Sequence, residues 1–141
     1  MKNILVAIDG SAHSAKAIAE TINLAVSQKA EVTVITVMDD TPSFSYMVPS
    51  DIIAKIRESY GERAKKILAE AEQLIRENGL AVKTKLTKGH PADEICSEAN
   101  KGNYDLVVLG SRGLGGVTEF FLGSVSSKVA HCVKQSIFIV K

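Results

Sequence analysis

Gly110, Gly113, Gly123 and Ser124 are the residues of this 141-residue chain whose types and spacing best suit chemistry. Five of its ten glycines fall between positions 110 and 124, in GSRGLGGVTEFFLGS. The cluster follows the apolar run Leu106–Leu109 and leads into Val125-Ser126-Ser127-Lys128, which reads as a helix. Glycine weakens regular structure, so such a cluster marks a special turn or a close approach by another group. A helix that begins at Ser124 offers unpaired N–H groups and partial positive charge, which suits a phosphate. Ser124 and Ser126 add hydroxyl donors, and Arg112 supplies a cation nearby. A second equipped turn is Asp9-Gly10-Ser11, directly after the run Ile4–Ile8.

Two familiar phosphate loops do not fit. Gly110 and Gly115 have the glycine spacing of G-x-x-x-x-G-K-[ST], but Gly116 and Val117 stand where the Lys and the Ser or Thr belong. The dinucleotide fingerprint G-x-G-x-x-G could start at Gly113 and Gly115, but its last glycine would fall on Thr118. It also belongs after the first strand, which is followed here by Gly10 alone. Phosphoryl transfer needs a positioned base and strong cationic clamping. No phosphate-loop lysine and no second acid plainly near Asp9 supply them, so the residues point to binding rather than turnover, with slow phosphoryl transfer the most to expect.

Each of these residues has a plainer role too. Gly110 alone could be a turn glycine, Asp9 could cap the first helix, and Arg112 could be a solvated loop residue. Ser124 can be a cap and a phosphate donor at once. Cys96 and Cys132, the only cysteines, form no C-x-x-C pair and no zinc spacing, and read as two small apolar core residues. His131 beside Cys132 does not make a reactive pair, because neighbours on a helix point in different directions. His13 and His90 read as surface or cap residues.

The elements that must position the two turns alternate along the chain. Ile4–Ile8 reads as a strand covered on both faces. A helix follows to Lys29, with Ala15, Ile18, Ala19, Ile22, Ala25 and Val26 on its apolar face. Glu31–Met38 is β-branched and reads as a strand. Residues 39–50 form a loop with two of the three prolines, either an ordinary connection or a lid. Ser50 can cap a long helix whose stripe is Ile53, Ile56, Tyr60, Ala64, Ile67, Ala71 and Leu74, stopped at Asn78-Gly79. Val82, Thr84 and Leu86 alternate with lysines, as in an edge strand with one wetter face. Pro91 opens a helix to about Ala99. Leu106–Leu109 is a buried strand, Ser124 to Cys132 a helix, and Ile137–Val140 the last strand. The β-α alternation implies a mainly parallel sheet with helices on both faces, in one α/β domain spanning 1–141. In such sheets ligands bind beyond the carboxyl ends of the strands, where the strand order reverses.

Composition narrows the partners. Hydrophobic residues make up 45% and charged residues 23%, with a formal net charge of +1. No Lys/Arg stripe favours DNA or RNA. The N-terminal apolar run is too short for a signal segment or a membrane span, so a cytoplasmic protein is expected.

Gly110-x2-Gly113-x9-Gly123-Ser124, taken with the opening ILVAIDGS, GHPADEI at 89–95, DLVVLGSRG at 105–113 and LGSVSSKV at 122–129, resembles the universal stress protein family. The match is to its ATP-binding subclass, marked by G-2x-G-9x-G-[ST], and it runs the whole length. The resemblance implies a five-stranded parallel sheet of order 3-2-1-4-5, Rossmann-like and adenine nucleotide alpha hydrolase-like. It implies ATP, with Mg²⁺, as the ligand of a homodimeric module that takes part in stress response. By it, Ala7, Ile8 and Asp9 line the adenosine side, with Asp9 toward ribose or a phosphate-bound metal. The backbone of Val37 pairs with adenine. Leu109, Gly110, Arg112 and Gly113 follow the ribose and phosphates, and Gly123, Ser124, Val125 and Ser126 hold the phosphate tail. Gly89 borders the pocket, and Phe120-Phe121 pack on the core or a dimer partner. Two departures stand out: Val133–Ile137 lacks the family's frequent C-P-V approach to the last strand, a common dimer contact, and Thr36 replaces its frequent His. An unidentified regulatory protein partner fits the same reading, as does a nucleotide-free interaction module.

Overall fold

The computed structural model describes residues 1–39, 45–113 and 122–141. Its elements are β1 (Asn3–Ala7), α1 (Ala12–Gln28), β2 (Glu31–Met38), α2 (Ser50–Glu77), β3 (Val82–Lys88), α3 (Pro91–Lys101), β4 (Leu106–Gly110), α4 (Ser124–Cys132) and β5 (Ser136–Val140), with a 3-10 turn at Ser45–Met47. All strand pairs are parallel, and the sheet order is β3-β2-β1-β4-β5. The chain therefore winds outward from β1 to β3, then crosses back to β4 on the other side of β1. The order reverses between β1 and β4, where Ala7 pairs with Leu109.

Side chains alternate across the sheet and split the core in two. Ile4, Val6 and Ile8 face α1 and α2; Leu5 and Ala7 face α3 and α4. Continuous apolar runs in β1 and β4 follow from being covered on both sides.

The buried face of α1 is Ser14, Ala17, Ile18, Thr21, Ile22 and Ala25, not the all-apolar set expected; Ala15 and Ala19 are exposed, and so is Val26. Two polar residues enter the core because their hydroxyls are satisfied locally: Ser14 donates to the Ser11 carbonyl and Thr21 to the Ala17 carbonyl at 2.7 Å. In α2 the buried residues are Ile53, Ala64, Leu68, Ala71 and Ile75, while Tyr60 and Leu74 are exposed. The expected stripe drifted by one position because Ala64 and Ala71 are common to both registers. Burying Leu68 and Ile75 stabilises the fold by about 1.5–3 kcal/mol each. Pro49, not Ser50, occupies the α2 cap position, without a side-chain bond. β3 is an edge, as expected, but it is exposed on both faces along most of its length, Leu86 included.

The cysteines are not independent core residues. Cys96 on α3 and Cys132 on α4 form a disulfide with Cα atoms 5.9 Å apart, inside the range a disulfide spans. Their separation of 36 positions hides this proximity in the sequence. Residues 40–44 of the 39–50 loop, the possible lid, and Phe120-Phe121 lie outside the described residues. No described helix is long and apolar enough to cross a membrane.

Candidate functional site

β1 ends by handing its last groups to β2. The Ile8 N–H donates to the Ile35 carbonyl at 3.0 Å, and the Ile8 carbonyl accepts the Thr36 hydroxyl at 2.7 Å. Asp9 then leaves the sheet. Its Oδ1 accepts the Ser11 N–H at 2.9 Å, and Ser11 in turn caps α1 by accepting the Ser14 N–H. Asp9 is therefore not the helix cap. Gly10 between them has φ +83°, the left-handed conformation that glycine alone adopts without strain.

Gly110, Gly113 and Gly123, the described glycines of the second turn, each have a close neighbour. A Cβ on Gly110 would lie 2.8 Å from the His13 backbone, so at that position the close approach is made by α1 itself. A Cβ on Gly113 would lie 2.6 Å from Asp9 Oδ2, which brings the second turn against the first. Gly123 donates its N–H to the Ser111 carbonyl at 2.7 Å, and a Cβ there would stand 3.3 Å from that oxygen and 3.4 Å from Arg112 Cα. The chain thus returns to its own turn before α4 begins, which explains the long spacing to the third glycine.

Gly123 is the α4 cap residue and makes no side-chain bond. The first bond inside α4 runs from the Ser127 N–H to the Gly123 carbonyl at 3.0 Å. The N–H groups of Ser124, Val125 and Ser126 thus have no partner within the helix, and no acidic side chain occupies its first turn. The Ser126 hydroxyl donates to the Gly110 carbonyl at 2.7 Å, tying α4 to the end of β4. Its hydroxyl proton therefore serves the fold.

These parts enclose a cavity of about 130 Å³. Ala7, Ile8, Asp9, Val37, Leu109, Gly110, Arg112, Gly113, Val125 and Ser126 all line it. Gly123, buried, and Ser124, exposed, stand at the head of α4 beside it rather than in its wall. Gly89, expected at its border, is not part of the lining; Ser14, Ile35, Pro91 and Ile95 are, and sequence reasoning missed them. Period-two spacing from Val37 would have found Ile35, and four-residue spacing from Pro91 would have found Ile95.

Val37 lines this cavity, and among the described residues its main chain has no recorded partner on the β1 side. Odd residues of β2 turn their N–H and C=O toward β1, as the bonds from Glu31 to Lys2 and from Ile8 to Ile35 record. Val37 is the next odd residue, and β1 has ended beside it. A donor and an acceptor therefore stand side by side at the cavity edge, about 3 Å apart as in any strand residue that pairs outward.

The outer wall is tied by charge. Lys128 Nζ on α4 lies 3.0 Å from Asp93 Oδ1 on α3, and His90 Nδ1 is 3.7 Å from Asp93 Oδ2. The hydrogen bond from Lys128 holds the Asp93 carboxyl below its ordinary range. Among the described residues no group of three or more His, Cys, Asp or Glu could hold a metal. Among the described residues Asp9 is the one carboxylate that lines the cavity, too few for a divalent cation held by protein alone.

A model of the universal stress protein family matches residues 1–141. Universal stress protein YxiE of Bacillus subtilis is 38% identical over 144 residues, covering 98% of this chain and 97% of its own. Among solved structures, the universal stress protein UspA of Lactobacillus plantarum superposes with a TM-score of 0.86 at 25% identity, over 99% of this chain and 97% of that one. A universal stress protein in complex with cAMP does so with a TM-score of 0.70 at 25% identity, over 99% and 96%. The chain belongs to the universal stress protein family.

Proposed function

We propose that this universal stress protein binds an adenine nucleotide, ATP with Mg²⁺ foremost, in the cleft between the ends of β1 and β4, and acts as a homodimeric, cytoplasmic regulatory module. The observation that carries the reading is one cavity with two distinct ends. The Val37 donor–acceptor edge lies at one end and the first-turn N–H groups of α4, which have no partner within the helix, at the other. A base that offers an acceptor beside a donor complements the first. A phosphate complements the second.

Between them, Ala7, Ile35 and Ile95 give the base apolar walls, Asp9 and Leu109 stand where the sugar would pass, and Gly110, Arg112 and Gly113 follow toward the phosphates, which Val125 and Ser126 meet at the head of α4. Gly123 and Ser124 present the head of α4 to the phosphate tail. Mg²⁺ would arrive on the phosphates, with Asp9 as its protein carboxylate. The related protein in complex with cAMP supports an adenine ligand. Support for the dimer is β5, an edge strand whose Ile137, Phe138 and Ile139 are half-buried in the single chain. Such an edge is a template for pairing with a second copy.

Release of bound small molecules from gently denatured protein, read by chromatography and mass spectrometry and followed by ATP titration, tests the reading. Near-stoichiometric ATP, or micromolar binding in the titration, is expected. Neither bound ligand nor a binding signal in folded protein would sink it. Bound ADP, with turnover lost in Asp9→Asn, would recast the protein as a slow hydrolase.

A further inference from the structure

We propose that Thr36 is a positioning residue that keeps the Val37 edge open, and thereby sets a preference for a 6-amino purine over its 6-oxo analogue. This rests on the nucleotide reading above and adds the residue that makes the site selective.

Even residues of β2 turn their backbone toward β3: the Val32 N–H donates to the Ala81 carbonyl, and the Met38 carbonyl accepts from Gly89. The odd residues face β1. In a parallel ladder continued by one more step, the Ile8 carbonyl would take the Val37 N–H. Instead it takes the Thr36 hydroxyl at 2.7 Å, and both residues are buried, Thr36 at 3% and Ile8 at 5% exposure. A buried carbonyl needs a partner. Thr36 supplies that partner from behind, because its side chain leaves β2 on the face opposite Ile35 and Val37. The hydroxyl therefore stands in for the ladder bond, and the Val37 N–H remains available to a ligand.

The consequence is chemical. Adenine presents an acceptor, N1, beside a donor, its amino group, and matches the N–H and C=O of Val37. Hypoxanthine presents a donor and an acceptor in the reverse order, so both contacts become repulsive or unpaired. Without the Thr36 hydroxyl, the Ile8 carbonyl recruits the Val37 N–H, and the adenine contact is lost.

The test is calorimetric titration of wild type, Thr36→Val and Thr36→Ser with ATP and ITP, with thermal melts as the check of folding. Wild type should prefer ATP by on the order of 100-fold, the upper range for one bidentate pairing with a base edge. Thr36→Val should lose about tenfold in ATP affinity, keep its ITP affinity, and so compress the ratio. Thr36→Ser should behave as wild type. Amide hydrogen exchange in ligand-free protein gives an independent readout: the Val37 amide exchanges freely in wild type and becomes protected in Thr36→Val. If Thr36→Val fails to fold, Thr36→Ala carries the same expectations. An unchanged ATP/ITP ratio and an unchanged Val37 exchange rate in the variant would overturn the role of Thr36 while leaving the nucleotide reading intact. Wild type that binds neither nucleotide overturns both, and wild type that binds the two equally overturns the selectivity alone.

Discussion

Two depressions meet at the Asp9-Gly10-Ser11 turn, and the larger is the poorer in chemistry. The groove between α1 and α2 holds about 410 Å³, against about 130 Å³ for the cavity at the strand ends. Its walls are helical: Ile18 on one side, Ile67, Ala71 and Leu74 on the other, with Arg63, Lys66 and Glu70 at the rim. Helix backbones satisfy themselves, so the polar groups there are long, exposed side chains that lose entropy on ordering. The smaller cavity forms where β1 stops and α4 starts. Main-chain groups are left over at both places, already fixed in direction. Recognition follows from where regular structure ends, not from how much space it leaves.

The walls of the two differ as well. The Cys96–Cys132 disulfide and the Lys128–Asp93 pair stitch α3 to α4, whereas among the described residues neither kind of link is recorded between α1 and α2. Reduction of the disulfide, or a Cys96→Ser/Cys132→Ser variant, should therefore be the largest single loss of stability, about 3–4 kcal/mol by loop closure over 36 residues. Chemical denaturation with and without reductant measures it. A disulfide of this kind does not persist in a reducing cytoplasm. Thiol trapping at lysis should accordingly find both cysteines alkylated if the proposed location is right, with the bond forming on oxidation.

Next in size is Gly123→Val. The added methyls meet the Ser111 carbonyl and the Arg112 backbone, which cannot rotate aside as a side chain could. The head of α4 must move, and ATP affinity should fall by about 100-fold, close to 2.7 kcal/mol. Gly113→Ala is gentler, because the group it meets is the end of the Asp9 side chain. Equal losses in the two variants would contradict the distinction between a rigid and a yielding neighbour.

The strands and helices were legible because periodicity and turn chemistry are local, whereas most of the ten expected site residues that line the cavity came from the family resemblance. Ile4–Ile8 and Leu106–Leu109 had to be central strands, and Pro91 had to open a helix. Three features were not legible, each for want of long-range information. The Cys96–Cys132 bond depends on how α3 packs on α4. Buried Ser14 and Thr21 depend on bonds to their own helix and its cap. Thr36 reads as an ordinary β-branched strand residue, and only the end of β1 gives its hydroxyl a task. The order of the strands came from the family resemblance rather than from periodicity.

A smaller effect tests how firmly α3 is held as a wall. Glu98, half-buried on α3, accepts from Lys85 of β3 and from Tyr104, each at 2.7 Å. Burial alone would push its carboxyl up, but the bonds from Lys85 and Tyr104 outweigh it and hold it below the ordinary value. The unfolded chain thus binds the proton more readily. This contribution is present above the unfolded carboxylate value and is lost as pH falls through the lower folded one. Glu98→Gln should cost about 1 kcal/mol at neutral pH and flatten the acid limb of the stability curve. A variant whose acid limb matches wild type would remove Glu98 from the account.

The smallest effect expected is none, and it bears on the comparison most directly. Arg63 and Lys66 stand at the rim of the α1–α2 groove, beside the same turn that carries Asp9. If cation charge near that turn governed nucleotide affinity, Arg63→Ala with Lys66→Ala would weaken ATP by tenfold or more. Both side chains are exposed, and Lys66 is 3.9 Å from Glu70, so screening leaves them little reach. The double variant should keep ATP affinity within about twofold and stability within about 0.5 kcal/mol. A larger loss of binding would move the phosphates across the turn, to the α1 side, and the α4 assignment would have to yield to it.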